Sequence, residues 1–207
     1  MHKNPLLDRI QSLVEPLLES IGLELWGMEF IEGGRSILRI FIEKASTNTA
    51  EPPPARDLPE NEGGGIGASI GECAEGSRLI GLALEVEECM PGAYVLEVST
   101  PGLERKFFKP AQLAACTGKM VDLLLETPLP SHPGRRRFIG TISGSAQNAG
   151  TWSYSLELPE PAPNETPVLN FGWGHLKKAQ LVHVEPPKPG RPTKKNTTSP
   201  KKTKNKF

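Results

Sequence analysis

The sequence predicts an α+β protein with an amino-terminal α-β-β-α-β domain, a small β-barrel and a disordered basic tail. Three observations predict this class. Helical and alternating apolar patterns succeed one another over the first hundred residues, and short, closely spaced strand patterns follow residue 119. The net charge also changes sign near residue 100, where the first domain is expected to give way to the second. We place the domains at 1–109 and 110–185, with the tail at 186–207.

The first helix begins at Asn4 and Pro5, residue types favoured at an N-cap and at the first helical position. Apolar residues then recur at helical spacing up to Ile21, and Gly22 is a suitable terminator. Pro16 lies inside this pattern, so we expect either a kink there or two shorter helical pieces.

Two strands follow this helix as a hairpin. Residues 23–31 alternate, which predicts a strand with Trp26, Met28 and Phe30 on one face. A turn at 32–35 leads to a partner strand over 37–42.

The stretch 45–65 is rich in proline, glycine and charge, so we interpret it as a mobile insertion. Helix resumes at Ser69, where Ser69 and Glu72 have the spacing of a capping box. Small residues from Cys73 to Leu84 form a narrow stripe suited to packing on a sheet. Tyr94 begins the third strand, and both helices are expected on one face of the sheet.

The second domain opens with a short helical segment at 110–117 and continues as closely spaced strands. A tight turn or 3₁₀ turn at 171–175 should precede the last strand. Five short strands with Gly- and Pro-bearing turns predict an SH3-like or Sm-like barrel, which would gain stability by closing its edges. The strand patterns occupy 119–126, 136–145, 152–158, 168–171 and 179–184.

A net charge of zero hides a strong division along the chain. Residues 1–100 hold seven basic and seventeen acidic residues, a net of −10, whereas residues 101–207 hold seventeen and seven, a net of +10. The tail contributes eight lysines and arginines and no acid. This division predicts that one half of the molecule contacts a polyanion.

Several classes of protein are disfavoured by the composition. No run approaches the roughly 18 apolar residues of a membrane span, and no signal-peptide pattern is present. The three cysteines are widely spaced, which argues against a disulfide framework or a structural zinc site. We therefore expect a cytoplasmic protein that contacts no membrane and needs no cofactor.

The sequence contains no recognisable set of catalytic residues. Cys73 lies on the packing stripe with no nearby histidine, so a buried structural thiol is the favoured interpretation. The four histidines are scattered over loops and strands. The glycines at 63–67 lack the Lys-Ser/Thr and the preceding strand of a phosphate-binding loop. We predict that the chain is not an enzyme.

The centre of the chain carries a turn and the first of several cations. Ser99, Thr100, Pro101 and Gly102 end the third strand, and the Pro-Gly pair suits the two central positions of a type II turn. Phe107 and Phe108 are interpreted as core or interdomain anchors. The predicted phosphate contacts are Arg105, Lys106 and Lys109 after this turn, Arg135, Arg136 and Arg137 in a later turn, and Lys177 and Lys178 at the last strand.

The central motif resembles that of a known family. Ser99 to Arg105 resembles the Ser-Ser-Pro-Gly-Leu-Asp/Glu-Arg signature of the bacterial ribosome maturation factor RimP family, which follows a Leu-Glu-Val strand as it does here at 96–98. Further matches lie at 21–25, at 73–78 and in Arg137-Phe138-x-Gly140. The chain departs from the family in Thr100, in Lys106 where proline is usual, in the single acid before Cys73, in the longer 45–65 loop and in the tail.

The resemblance implies an α-β-β-α-β domain followed by an SH3/Sm-like barrel. It also implies a non-enzymatic factor that binds the free small (30S) ribosomal subunit and assists its maturation. Its barrel would dock a ribosomal protein near the decoding centre, beside contacts to ribosomal RNA. We expect a monomer. The alternative is a general RNA-binding or RNA-chaperone module without ribosome preference, and an enzyme with Cys73 as nucleophile ranks third.

Overall fold

The structure, a computed structural model, describes residues 4–45, 67–160 and 166–183. It has the α+β composition that the sequence predicts. Most of the predicted insertion and the whole predicted tail lie outside the described residues. The elements are α1 (Pro5–Ser20), β1 (Leu23–Ile31), β2 (Ser36–Lys44), α2 (Ile70–Val86), β3 (Tyr94–Ser99), α3 (Pro110–Ala114), β4 (Met120–Leu125), β5 (Arg137–Asn148), β6 (Thr151–Glu157), β7 (Val168–Gly172), a 3₁₀ turn (Trp173–His175) and β8 (Leu176–Leu181).

Both long helices begin at the caps that the sequence predicts. The Leu6 amide donates to Asn4 Oδ1 at 3.0 Å at the start of α1. At α2, the Glu72 amide donates to Ser69 Oγ at 3.3 Å and the Ser69 amide to Glu72 Oε2 at 2.6 Å, which completes the capping box. Helix α1 continues through Pro16 as one helix, so the prediction of two shorter pieces is wrong.

The first sheet has the order β1-β2-β3, with β2 antiparallel to β1 and parallel to β3. Helix α2 connects the two parallel strands. Both helices pack on the same face, where their apolar stripes meet the central strand. A Cβ at Gly76 of α2 would lie 3.5 Å from Ile42 and from Leu18, so a small residue there permits close packing. The buried core on this face is Ile10, Val14, Leu18, Leu23, Leu25, Met28, Leu38, Ile40, Ile42, Ile80, Leu84 and Cys89.

A β-bulge in β1 changes which side chains face the helices. Leu25 pairs with Ile42 and Gly27 with Phe41, which leaves Trp26 as the extra residue. Leu25 and Met28 are therefore both buried in the helix-side core although they are three residues apart. Trp26 instead packs against the second core of the molecule. The prediction that Trp26 shares a face with Met28 is wrong because simple alternation does not allow for the extra residue.

The second sheet has five antiparallel strands in the order β7-β6-β5-β4-β8, and the predicted 3₁₀ turn precedes its last strand. Its buried core is Phe107, Leu113, Cys116, Val121, Leu123, Leu125, Phe138, Ile142, Tyr154, Leu156, Leu158, Leu169, Phe171, Leu176 and Ala179. Strands β7 and β8 form opposite edges of the sheet, so the prediction of a closed barrel is wrong. The outer edge of β8 is instead paired with a segment of the chain that arrives from the first sheet.

Candidate functional site

Residues 100–109 form the linker between the two sheets. It leaves β3 through the predicted turn, in which Gly102 has φ = +74°, a conformation that glycine adopts without steric cost. Leu103, the next residue, is 68% exposed. The turn therefore projects from the molecule before the linker reaches the second sheet.

The linker adds a short strand to the edge of β8. The Phe107 amide donates to the Ala179 carbonyl at 2.9 Å, and the Leu181 amide donates to the Arg105 carbonyl at 2.9 Å. Lys106 and Gln180 form the bridge between these bonds. Pairing of this kind satisfies backbone groups on the edge of the sheet.

Two consecutive phenylalanines anchor the linker in different places, which confirms their prediction as anchors. Phe107 is 1% exposed and belongs to the core of the second sheet. Phe108 packs on the first sheet, with its ring centroid 5.6 Å from that of Phe41. A Cβ added at Gly27 would overlap the Phe108 ring, so glycine at this position makes room for it.

Trp26 and Gln112 complete the junction through hydrogen bonds. Trp26 Nε1 donates to the Lys106 carbonyl at 2.7 Å, and Gln112 Nε2 donates to the Trp26 carbonyl at 2.7 Å. Gln112 Oε1 accepts from the amides of Phe108 and Lys109 at 2.8 and 2.9 Å. Sequence reasoning missed both side chains, because neither position stands out until the bulge and the linker are brought together.

Arg105 of the linker forms an ion pair with Glu43 of β2. Arg105 Nη1 lies 2.9 Å from Glu43 Oε1, and the guanidinium carbon lies 4.9 Å from the centroid of the Trp26 ring. Glu43 is 5% exposed, and Oε1 accepts no well-aligned hydrogen bond from the described residues. Burial raises the pKa of Glu43, while the charge of Arg105 acts in the opposite direction. The contact is therefore held by charge and ring stacking.

The other two linker cations also form ion pairs, with carboxylates of the first sheet and its first helix. Lys106 Nζ lies 2.7 Å from both carboxylate oxygens of Glu29. Glu29 in turn lies 3.9 Å from Arg39, which pairs with Glu97 of β3 at 2.7 Å. Lys109 Nζ lies 3.3 Å from Glu15 Oε1 on α1. The structure thus places the three predicted linker contacts against carboxylates of the acidic half.

The Arg135–Arg137 group lies at the start of β5. Arg137 donates to both oxygens of Asp122 on β4, at 3.1 and 2.8 Å. This charge-assisted fork raises the pKa of Arg137. Arg135 stacks its guanidinium 4.6 Å from the centroid of the Phe138 ring, and Arg136 Nη1 donates to the Glu126 carbonyl at 3.4 Å.

His132, one of the four histidines expected at loop or strand surfaces, is instead fully buried beside this group. Its Nε2 lies 3.2 Å from the Thr166 carbonyl and its Nδ1 lies 2.9 Å from Ser131 Oγ. Because a carbonyl can only accept, Nε2 donates to Thr166, and Nδ1 lies within hydrogen-bond distance of the serine hydroxyl. The imidazole therefore joins two loops as a structural group.

Lys177 and Lys178 are both exposed because a bulge interrupts β8. Leu125 pairs with Leu176 and Leu124 with Lys178, which leaves Lys177 as the extra residue. Leu176 and Ala179 consequently both reach the core, and the two lysines between them stay outside it. Neither lysine forms an ion pair with a residue that the structure describes.

The eight predicted contacts thus fall into four places. Lys106, Lys109 and Lys177 border a groove of about 740 Å³ between α1, β1 and the linker. Arg137 and Lys178 border a smaller cleft of about 230 Å³ with Asp122, Leu124 and Gln180. Arg105 lies at the junction of the sheets, and Arg135 and Arg136 precede β5.

The cysteine considered as a nucleophile is half-buried on α2. Burial, and to a lesser extent the Glu72 carboxylate, raises the pKa of the Cys73 thiol, which disfavours the thiolate that nucleophilic chemistry needs. All three cysteines are free thiols. Within the described ranges, no cluster of His, Cys, Asp and Glu is arranged to hold a metal ion. Over the same ranges, no helix has the length and apolar content to cross a bilayer.

These observations define an α+β protein of two sheet units, joined by a salt-bridged linker, with basic side chains on the outer face of the second sheet. Residues 13–104 match the family model described as RimP N-terminal domain. The chain is 38% identical to the ribosome maturation factor RimP of Nitratidesulfovibrio vulgaris (strain Miyazaki F), over 98% of this chain and 94% of that relative. It is 36% identical to the ribosome maturation factor RimP of Lawsonia intracellularis, over 88% and 90% of the two chains. The protein belongs to the ribosome maturation factor RimP family, which confirms the resemblance drawn from the central motif.

Proposed function

We propose that this protein is a non-catalytic ribosome assembly factor that binds the free small (30S) ribosomal subunit and assists its maturation in the cytoplasm. One observation carries the proposal: relatives named ribosome maturation factors align with nearly the whole chain, so the match includes both sheet units. The protein would act as a monomer, without a cofactor. Its partners would be ribosomal RNA and a ribosomal protein near the decoding centre.

The second sheet unit is the part we assign to docking. Its short antiparallel strands, its last strand beside its first and the 3₁₀ turn between β7 and β8 support an SH3-like or Sm-like relationship for this open sheet. The eight cations predicted from the sequence are the candidates from which its RNA contacts would be drawn. The Lys-rich segment 186–207 would add RNA affinity that does not depend on sequence.

Co-sedimentation of the full chain with purified free small subunits at rising salt tests the proposal. We expect association at low salt that weakens as salt increases, with a log–log slope of about 0.7–0.9 for each phosphate contacted. Absence of association even at low salt would contradict the proposal.

The alternative, a general RNA-binding or RNA-chaperone module, makes a different prediction in competition. Bulk RNA in mass excess should displace a general RNA binder from the subunit, because both ligands would use the same phosphate contacts. For a subunit-specific factor, unlabelled small subunits should compete far better than the same mass of bulk RNA. Equal competition would favour the alternative.

A further inference from the structure

The predicted cations differ in what they already contact. Arg105, Lys106 and Lys109 each lie against a carboxylate of another element, at 2.9, 2.7 and 3.3 Å. Lys178, by contrast, is exposed and forms no ion pair with a described residue. Arg137 is ion-paired, yet its side chain remains 69% exposed. A new anionic partner would compete with the existing ion pairs of Arg105, Lys106 and Lys109. Lys178 has no such pair among the described residues, and the Arg137 side chain remains open to solvent.

Arg137 and Lys178 lie in one row across the outer face of the second sheet. Both are cross-strand neighbours of Leu124 on the central strand β4, Arg137 from β5 and Lys178 from β8. Neighbouring strands are about 4.8 Å apart, so the two backbones lie roughly 10 Å from each other. Asp122 and Gln180 are the next pair along the same face and line the cleft between them.

Asp122 orients the arginine of this row. Its two oxygens accept from Arg137 Nε and Nη2, while the Asp122 side chain itself is 12% exposed. Since a guanidinium has five N–H donors in a fixed plane, two are held by Asp122 and the others project from a side chain that is mostly in solvent. Such an arrangement presents a preoriented fork to a phosphate group.

We infer that Arg137 and Lys178 form the row that contacts the phosphodiester backbone of RNA, and that Arg105, Lys106 and Lys109 hold the two sheet units together instead. The inference rests on the proposed function and assigns its RNA contact to the outer face of β5-β4-β8. A phosphate reaching Arg105 would have to leave the buried Glu43 carboxylate without its cation. A phosphate reaching the row meets charges that are already exposed.

Binding to protein-free small-subunit RNA across a salt series tests this assignment in the full chain. Variants Arg137→Gln and Lys178→Gln should each reduce the log–log slope by about 0.7, and the double variant by about twice that. Arg137→Lys keeps the charge, so its slope should be unchanged while its affinity falls through loss of the planar fork. The matched controls are Lys119→Gln, an exposed lysine outside the row, and Lys106→Gln in the linker. Both should leave the slope unchanged, and thermal melting should show that the row variants remain folded.

Three results would overturn the inference. The first is a wild-type protein that does not bind this RNA at low salt. The second is a normal slope in the double row variant with co-sedimentation retained, or a reduced slope in Lys106→Gln. The third is a normal RNA slope in the double variant with loss of co-sedimentation, which would assign the row to a protein partner. Loss of slope in a protein that never co-sediments with small subunits would support the row and contradict the proposed function.

Discussion

Arg105 illustrates how one side chain joins three parts of the chain. Its guanidinium lies 2.9 Å from Glu43 of β2 and stacks on Trp26 of β1, and its carbonyl accepts from Leu181 of β8. Because Glu43 is buried and its Oε1 has no aligned hydrogen bond from the described residues, Arg105 is the main compensation for its charge.

We predict that Arg105→Gln lowers the free energy of unfolding by about 2 kcal/mol at pH 7. This is less than the cost of breaking a fully buried ion pair, because the Arg105 side chain is 27% exposed. The deficit should depend on pH. Burial already raises the pKa of Glu43 above 4.5, and loss of Arg105 would raise it further. A raised folded-state pKa favours the native state below the unfolded value and costs stability as pH rises through the folded one. The deficit should therefore be largest near neutrality and shrink as pH falls toward about 4.5.

Urea unfolding of the wild type and the variant at several pH values measures this deficit. The control is Arg105→Gln in a Glu43→Gln background, compared with Glu43→Gln alone, where the deficit should lose its dependence on pH because neither protein carries the titrating group. A deficit in Arg105→Gln that stays constant from neutral to acidic pH would show that lost packing on Trp26 dominates.

The sequence identified Arg105, Lys106 and Lys109 as cations but could not show their partners. The carboxylates lie on α1, β1 and β2, more than sixty residues earlier in the chain. Such pairs form only when the linker crosses the first sheet. The local turn at Gly102, in contrast, was predictable because its conformation depends on the Pro-Gly pair itself.

At the scale of elements, the β1 bulge and the linker form one fitted unit. The bulge turns Trp26 away from the helices, and the missing side chain of Gly27 leaves room for the Phe108 ring. Gln112 then bonds the Trp26 carbonyl and the Phe108 amide. The contact between β1 and the linker therefore depends on the backbone bulge as much as on the side chains.

We predict that Gly27→Ala destabilises the protein by about 1–3 kcal/mol, the usual cost of overpacking, because the new methyl overlaps the Phe108 ring. In a Phe108→Ala background the same change should cost much less, since the ring that it meets is absent. A double-mutant cycle on free energies of unfolding measures this coupling. Gly76→Ala is a useful comparison, because its added Cβ meets atoms at 3.5 Å, an ordinary contact distance. Additive costs of the two changes at the junction would contradict the fitted contact.

The elements themselves were largely predictable, and their irregularities were not. Caps at Asn4 and Ser69 act within a few residues of themselves, so the sequence shows them directly. Bulges at Trp26 and Lys177 depend on the register of a partner strand, which alternation cannot reveal. The expected barrel closure failed for a related reason: the outer edge of β8 pairs with the linker, a segment with no strand pattern of its own.

At the scale of the molecule, part of the charge division is used in ion pairs between the two halves of the chain. Three cations of the basic half pair with three carboxylates of the acidic half, at Arg105–Glu43, Lys106–Glu29 and Lys109–Glu15. The sequence could predict a basic half and a polyanionic partner. It could not separate cations that join the two units from cations that remain available, because that distinction needs the relative position of the two sheets.

The Lys-rich segment 186–207 holds eight of the seventeen basic residues after residue 100. Its removal should weaken binding to bulk RNA and lower the log–log salt slope, by about 0.7 for each phosphate that the segment neutralises. The preference for free small subunits over bulk RNA should stay the same, because sequence-independent phosphate contacts strengthen both complexes alike. Competition assays on the truncated chain and on a chain with a Gly/Ser-rich segment of equal length measure that preference. If the preference disappeared with the segment, the specific contact would belong to residues 186–207 and not to the second sheet.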